Sequence, residues 1–242
     1  DVFTAYPRIY SLAIEKLGLP VASTLLLAIA HVAWVAAAAF LLRGFLGGLT
    51  FWLTLMTVIV LPAGYGSAGV FSYGETFLTA RIWAEPPALL AAAYMLRGHR
   101  LAAIASMLFT MVMHPIIAVP AALFVLFFGV RGLRQWAVVL VSLVVVVLVL
   151  AVAVPSVENL TQPMDPLWLG LSKDRSPFVF LDRWSPQEYR EPAFLGLLLT
   201  TAALVSTADS RRLWCSALGT LVVGIGLALI TIYWPAVLLV QM

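Results

Sequence analysis

Long apolar runs separated by short polar stretches form the dominant pattern along the chain. Residues 21–42 contain no acidic or basic side chain, and a helix of that length crosses about 30 Å of hydrocarbon. Comparable runs cover residues 47–61, 135–154, 192–208 and 213–233. Because these runs are continuous rather than alternating, they predict membrane-spanning helices rather than strands.

Three further apolar runs are too short to cross a bilayer unaided, and they cover residues 88–96, 101–113 and 116–130. For the first we expect a helix that gains residues 82–84, Pro86 and Pro87 as its N-terminal turn. The other two meet at His114, where the following proline ends the first helix. We expect a helical hairpin with its tip at His114. The pattern therefore predicts about eight membrane segments, three of them short.

Composition strengthens the prediction of an all-α, polytopic membrane protein. Hydrophobic residues make up 63% of the 242 residues and charged residues 10%, whereas soluble domains carry about 25% charged residues. We therefore expect a single transmembrane domain over residues 1–242. The formal net charge of +3 comes from scattered basic residues, which does not indicate a nucleic-acid partner.

The ends of the sequence and its one cysteine add two expectations. The chain begins at Asp1 without Met and stops at Met242 directly after an apolar run, so we expect a fragment that is truncated at both ends. The lone Cys215 lies inside an apolar run. Neither an internal disulfide nor a zinc cluster can be built from it.

Three polar stretches interrupt the apolar pattern. Residues 1–20 place apolar side chains at helical spacing, which predicts an amphipathic helix in the membrane interface that ends at Gly18 and Pro20. Residues 64–87 form a second stretch. Residues 155–191 form a third, which we expect to be a long polar loop.

The charges orient these segments. If the connections alternate from residues 1–20 onward, one side receives seven basic residues against one acidic residue, Asp209. The seven are Arg43, Arg97, Arg100, Arg131, Arg134, Arg211 and Arg212. Short, basic connections are typical of the cytoplasmic side. We therefore expect a protein surrounded by lipids of a bacterial inner membrane, with residues 64–87 and 155–191 on the periplasmic side.

Candidate chemistry concentrates in the second polar stretch. Ionised side chains are costly in lipid, so Glu75, Arg81 and Glu85 must face water or a cavity lined by protein. A carboxylate can act as general base, and a guanidinium binds phosphate through two parallel hydrogen bonds. The structural alternative is that one carboxylate pairs with Arg81 and the other caps a helix beginning at Pro86.

Other candidates lie outside that stretch. His114 is expected on the same side of the membrane, where it binds phosphate or serves as a turn residue. Arg175 and Arg183 in the third polar stretch are further phosphate-binding candidates. Residues 64–69 match G-x-G-x-x-G, but a membrane span precedes them, so we expect a flexible turn rather than a dinucleotide site. The spacing of His and Cys predicts no metal site.

Several short motifs carry a resemblance to a known family. They are Tyr6-Pro7-Arg8-Ile9-Tyr10 before Leu17-Gly18, Tyr73-Gly74-Glu75, Leu78-Thr79-Ala80-Arg81, Glu85 and His114-Pro115. Together with the helical architecture, they resemble the GT-C class of membrane glycosyltransferases. Within that class, the chain is similar to bacterial members related to enzymes that use polyprenyl-phosphate sugars.

The resemblance implies an inverting transfer of a sugar from a lipid-phosphate-linked donor on the outer face of the membrane. It implies that a carboxylate acts as base, and the candidates are Glu75, Glu85 and Asp1. It implies substrate-binding roles for Arg81, His114, Tyr73, Arg175 and Arg183. No cofactor is implied, because the donor comes from the membrane, and the acceptor stays open.

The alternative is a non-enzymatic integral membrane protein, either a transporter or a structural subunit of a membrane complex. A transporter fold predicts internal repeats and polar groups near the midplane, and the sequence shows neither. Convergence of Glu75, Arg81, Glu85 and His114 on one site favours the enzyme. Dispersal of these four residues favours the structural subunit.

Overall fold

A computed structural model describes residues 5–60, 64–65, 71–72, 75, 77–132, 134–135, 137–139, 141, 162–233 and 235. In these ranges the chain is predominantly helical, which confirms the helical part of the prediction. The chain divides into two compact units, Asp1–Leu126 and Phe127–Met242, and each is described by itself.

Six helices begin in the described part of the first unit. They are α1 (Tyr6–Leu17), α2 (Leu19–Leu42), α3 (Gly48–Val60), α4 (Ala80–Leu96), α5 (Arg100–Met113) and α6 (Pro115–Gly129). As predicted, α1 ends at Gly18, which has a φ of 76°, a value that glycine adopts without strain. Pro20 then occupies the first turn of α2, where its missing N–H has no intrahelical partner to lose.

Small residues let these helices approach one another closely. Helix α4 packs along α5 and α2, and α1 packs on α2. Alanines are buried at Ala30 and Ala37 of α2, at Ala91 and Ala93 of α4, and at Ala103 of α5. Alanine at a helix contact brings the two backbones together, as is common in membrane helix bundles.

The short segments differ from the expectation in two ways. Helix α4 begins at Ala80, two residues before Ile82, so the two prolines lie inside it and not in its N-terminal turn. They remove the amide donors for the carbonyls of Ile82 and Trp83, and burial of the surrounding turn holds the helix together. In addition, α5 and α6 do not pack along each other as a hairpin over the described residues. His114 alone joins them, whereas antiparallel helices use loops of about two to five residues.

The G-x-G-x-x-G motif begins in a short antiparallel strand pair. Gly64–Tyr65 (β1), the first two residues of the motif, pairs antiparallel with Phe71–Ser72 (β2), so Gly64 lies opposite Ser72. A dinucleotide fingerprint belongs to a βαβ unit, whose strands are parallel.

The described part of the second unit contains α7 (Pro166–Arg175), two short 3₁₀ turns, α8 (Pro186–Val205) and α9 (Ala208–Tyr233). The predicted polar loop over residues 155–191 therefore contains helix α7 and the start of α8, and its place on the outer side of a membrane stays a prediction. Asp165 caps α7, because its carboxylate accepts from the amides of Leu167 at 2.9 Å and Trp168 at 3.1 Å. Residues 142–161 lie outside the described ranges, so most of the predicted span 135–154 does too.

Two helices in the described ranges are long and apolar enough to cross a membrane. They are α2, with 24 residues, and residues 210–230 of α9, with 21 residues. Helices α3, α5 and α6 are apolar but shorter. These two helices support the prediction of a helical membrane protein. The expected number of about eight membrane segments stays a prediction.

Arginines from the predicted cytoplasmic connections bind the C-terminal ends of helices. Arg97 donates to the carbonyl of Phe40 in the last turn of α2, and its guanidinium lies 3.9 Å from the centre of the Phe40 ring. In the second unit, Arg212 donates to the carbonyl of Phe128 at the end of α6. Such carbonyls carry the negative end of the helix dipole, so a guanidinium is favourable there.

Candidate functional site

Glu75, which precedes α4, forms an ion pair with Arg81 in the first turn of that helix. Oε1 of Glu75 lies 2.6 Å from Nη2 of Arg81, and the side chains are 3% and 21% exposed. The hydroxyl of Thr79 donates to Oε2 of the same carboxylate. Thr79 is the N-cap residue of α4, but its hydroxyl makes no capping hydrogen bond because it donates to Glu75 instead. Both carboxylate oxygens of Glu75 therefore have partners.

Glu85 lies four residues after Arg81 and so one turn further along the same face of α4. Its side chain is buried, with 5% exposed. The interpretation of Glu85 as the cap of a helix starting at Pro86 was wrong, because that helix begins five residues before Glu85. The other half of the structural alternative, an ion pair between Arg81 and a carboxylate, is present with Glu75.

His114 lies in the break between α5 and α6. Its backbone is extended, with φ of −156° and ψ of 99°, because a residue before proline disfavours the helical conformation. Burial lowers the pKa of His114 below its usual 6.5, and the positive charge of Arg81 lowers it further, while a hydrogen bond with the backbone of His114 itself and the charge of Glu75 act in the opposite direction. The lowered pKa favours the neutral imidazole at pH 7. His114 lies within electrostatic reach of the ion pair, and its buried Nδ1 has no hydrogen-bond partner on another described residue.

The start of α1 joins this region. The amide of Ala5 donates to the carbonyl of Val112 in the last turn of α5, at 3.0 Å. This bond places Tyr6 beside the break that holds His114. The hydroxyl of Tyr6 is buried and has no hydrogen-bond partner among the described residues. Burial and, to a smaller extent, Tyr10 raise the pKa of Tyr6 to about 12, so Tyr6 is a hydrogen-bond donor at every physiological pH.

We name these five residues the polar cluster: Tyr6, Glu75, Arg81, Glu85 and His114. Four of them are candidates from the sequence, and Tyr6 is an addition. Tyr6 belongs to one of the motifs that resemble the GT-C class. It becomes a candidate only because its hydroxyl is buried, which the sequence does not reveal. The cluster lies where α4 begins and α5 ends, at the opposite end of both helices from the turn formed by residues 97–99.

The remaining candidates lie in the second unit or outside the described ranges. Arg175 ends α7 and Arg183 ends the second 3₁₀ turn, and both belong to the second unit, where they are exposed. Asp1 and Tyr73 lie outside the described ranges. Their proposed roles in catalysis and substrate binding stay predictions.

The group of the polar cluster that suits an anionic ligand is Arg81, because a guanidinium binds phosphate strongly when its orientation is held. The cluster also contains a phenolic hydroxyl, an imidazole and two carboxylates, of which Glu75 pairs with Arg81. Over the described ranges, no group of three or more His, Cys, Asp or Glu side chains is arranged to hold a metal.

An apolar groove lies on the second unit. It follows one face of α8, has a volume of about 400 Å³, and is lined by Phe194, Leu197, Leu198, Thr201, Ala202 and Val205. An open apolar groove on a single helix face is what lipid chains cover in a membrane bundle, and it offers no group for chemistry.

The fold and the cluster define a helical protein with two helices able to cross a membrane and a buried polar site at the end of a helix pair. Comparison of the chain with protein-family models, with curated proteins and with solved structures finds no match. The resemblance to the GT-C class therefore remains a hypothesis.

Proposed function

We propose that the chain belongs to an integral membrane glycosyltransferase that takes a sugar from a lipid-phosphate-linked donor. The observation that carries the proposal is the buried pair of Glu75 and Arg81 with the neutral imidazole of His114 beside it. A guanidinium held by a carboxylate and one-fifth exposed is prepared to receive a second anion. The phosphate of a membrane lipid is the anion that a site among apolar helices meets most readily.

In the proposed reaction, Arg81 binds the phosphate of the donor. The acceptor hydroxyl loses its proton and attacks the anomeric carbon, the bond from that carbon to the phosphate oxygen breaks, and the lipid phosphate leaves with the electron pair. Arg81 stabilises the charge that develops on the departing phosphate. Because both oxygens of Glu75 have partners, its contacts suit positioning of Arg81, and the proton acceptor is then Glu85 or His114.

The placement of charge along α4 and α5 supports a membrane location with the polar cluster on the outer side. The 14 residues of α5 separate the basic turn at residues 97–100 from His114, a distance of about 21 Å along the helix axis. Large apolar side chains between these ends are exposed, and they include Leu101, Ile104, Leu108, Phe109 and Val112. In water such a surface is unfavourable, whereas in lipid it is the expected one.

Binding of polyprenyl phosphate to the protein in nanodiscs tests the proposal. We expect binding to depend on the phosphate, so that the uncharged polyprenol binds at least tenfold more weakly. Arg81→Lys should weaken binding, because an ammonium cannot form two parallel hydrogen bonds. Arg100→Gln is the matched control, since Arg100 is an exposed base at the other end of α5. Equal binding of polyprenol and polyprenyl phosphate would exclude the proposed function.

Turnover assays then assign the roles. With a panel of polyprenyl-phosphate sugars as donors, released polyprenyl phosphate can be measured by mass spectrometry. Glu85→Gln and His114→Gln distinguish the two candidate proton acceptors, because loss of the base lowers kcat while binding of polyprenyl phosphate is retained.

A non-enzymatic membrane protein is the second candidate, and one observation favours it. Arg81 and Thr79 already occupy both oxygens of Glu75, as expected of an ion pair that stabilises a helix start. This candidate predicts that Arg81 variants lose stability and that no variant changes the binding of polyprenyl phosphate.

A further inference from the structure

The hydroxyl of Tyr6 is buried without a hydrogen-bond partner in the described ranges, and Nδ1 of His114 is buried without a partner on another described residue. Burial of a polar atom without a partner is unfavourable, and proteins rarely retain such atoms without a ligand or a water to bind them. The backbones that carry these two side chains are close, because Ala5, directly before Tyr6, donates to the carbonyl of Val112, two residues before His114.

The surrounding contacts fix Tyr6 in this position. The amide of Ala5 is tied to the carbonyl of Val112 at 3.0 Å. The ring of Tyr6 stacks on Tyr10, with ring centres 5.8 Å apart and an angle of 20° between the planes. Tyr10 in turn shares a hydrogen bond of 2.8 Å with the hydroxyl of Ser23 on α2. The Tyr6 hydroxyl is therefore held in place by the backbone and by its neighbour, while its own hydrogen-bonding capacity remains unused.

We propose that Tyr6 is a ligand-binding residue, and that its hydroxyl donates a hydrogen bond to a phosphate oxygen of the lipid-linked donor bound at Arg81. This inference rests on the proposed function and adds α1 to the elements that form the site. The hydroxyl remains protonated at physiological pH because burial raises its pKa to about 12. Tyr6 is thus a donor and not a base, which is the property that a phosphate oxygen requires.

Tyr6→Phe removes only the hydroxyl and tests the proposal. Polyprenyl phosphate in nanodiscs is the probe. We expect its affinity to fall about tenfold or more, because a hydrogen bond to a charged group is lost. Without ligand, the variant should be as thermally stable as the wild type or more so, because an unpartnered buried hydroxyl has been removed. A purely structural tyrosine would show the opposite pair of results.

Tyr10→Phe is the matched control. Its hydroxyl has a partner in Ser23, so this variant should lose some thermal stability and keep its affinity for polyprenyl phosphate. If Tyr6→Phe binds polyprenyl phosphate as tightly as the wild type, the inference about Tyr6 is overturned and the proposed function stands. If the wild type does not distinguish polyprenyl phosphate from polyprenol, both are overturned.

Inorganic phosphate provides a second arm that separates a lipid donor from a free anion. Weak, Tyr6-independent binding of inorganic phosphate together with Tyr6-dependent binding of polyprenyl phosphate supports the proposal. Equal affinity for both probes, with the same loss in Tyr6→Phe, assigns the residue to a site for free phosphate and overturns the lipid-linked donor.

Discussion

Replacing Glu75 by Gln should destabilise the protein strongly, because it leaves the guanidinium of Arg81 without its charged partner. The two groups approach to 2.6 Å, and the carboxylate is 3% exposed. Two unit charges with centres about 4 Å apart attract each other by about 4 kcal/mol at an effective dielectric constant of about 20. Breaking a buried pair by removal of one partner costs about 3–5 kcal/mol. Because Arg81 is 21% exposed, we expect a value near the lower end, about 3 kcal/mol.

The free energy of unfolding in mixed micelles, followed by tryptophan fluorescence during titration with denaturing detergent, measures this loss. A double-mutant cycle with Arg81→Gln should give a coupling energy of about 1–3 kcal/mol. Asp182→Asn is the matched control. Asp182 pairs with Lys173, and these side chains are 33% and 20% exposed, so that variant should cost about 1 kcal/mol or less.

Two results would refute this reasoning. One is a Glu75→Gln protein that is no less stable than Asp182→Asn. The other is a cycle in which the effects of Glu75→Gln and Arg81→Gln simply add, because independent effects mean that the two side chains do not interact. Loss of stability in both single variants, with much less than additive loss in the double variant, would establish the ion pair.

Three further predictions concern other parts of the chain. Because burial and Arg81 lower the pKa of His114, the folded state binds a proton at His114 less readily than the unfolded state does. The free energy of unfolding should therefore fall as the pH drops below about 6.5. His114→Gln should reduce this pH dependence in the same unfolding assay. In a Cys215→Ser background, membrane-impermeant thiol reagents should label Ser172→Cys from outside the cell, and Gly98→Cys only after the membrane is opened; the reverse labelling would invert the orientation. Asp165→Ala removes two hydrogen bonds at the start of α7 and should lower the free energy of unfolding by about 1 kcal/mol, whereas Asp165→Asn should retain most of it.

The sequence predicted the helices whose ends carry local signals. Gly18 ends α1 and Pro115 begins α6, and both boundaries follow from backbone restrictions that belong to a single residue type. Helices α2 and α3 were also predictable, because the length of their apolar runs and the absence of charged residues indicate membrane helices.

Other elements depended on contacts that the sequence does not display. Proline normally marks the first turn of a helix, so the start of α4 at Ala80 was missed; burial of Glu85 and Pro86 against neighbouring helices supports the extra turns. The caps of α7 and α8 were different, because Asp165-Pro166 and Ser185-x-x-Glu188 are readable signals. The prediction of a long polar loop rested on the many charges and prolines around them and did not use these signals.

The same distinction applies to the candidate site. Its charged members were predictable, because ionised groups among apolar helices are rare and costly. The pairing of Arg81 with Glu75 depends on where α4 begins. The burial of the Tyr6 hydroxyl depends on the bond between α1 and α5, which joins residues more than a hundred positions apart.

The arginine contacts at the helix ends have a consequence for the order in which the chain is made. The carbonyl of Phe40 receives its donor from Arg97, 57 residues later, and that of Phe128 receives its donor from Arg212, 84 residues later. During synthesis the last turn of α2 is therefore made before the group that completes it exists, and the end of α6 waits longer still. Until then water or lipid headgroups have to solvate these carbonyls. Ribosome-bound chains that stop just before Arg97 should accordingly leave the end of α2 frayed, and chains that extend beyond it should protect that turn from hydrogen exchange.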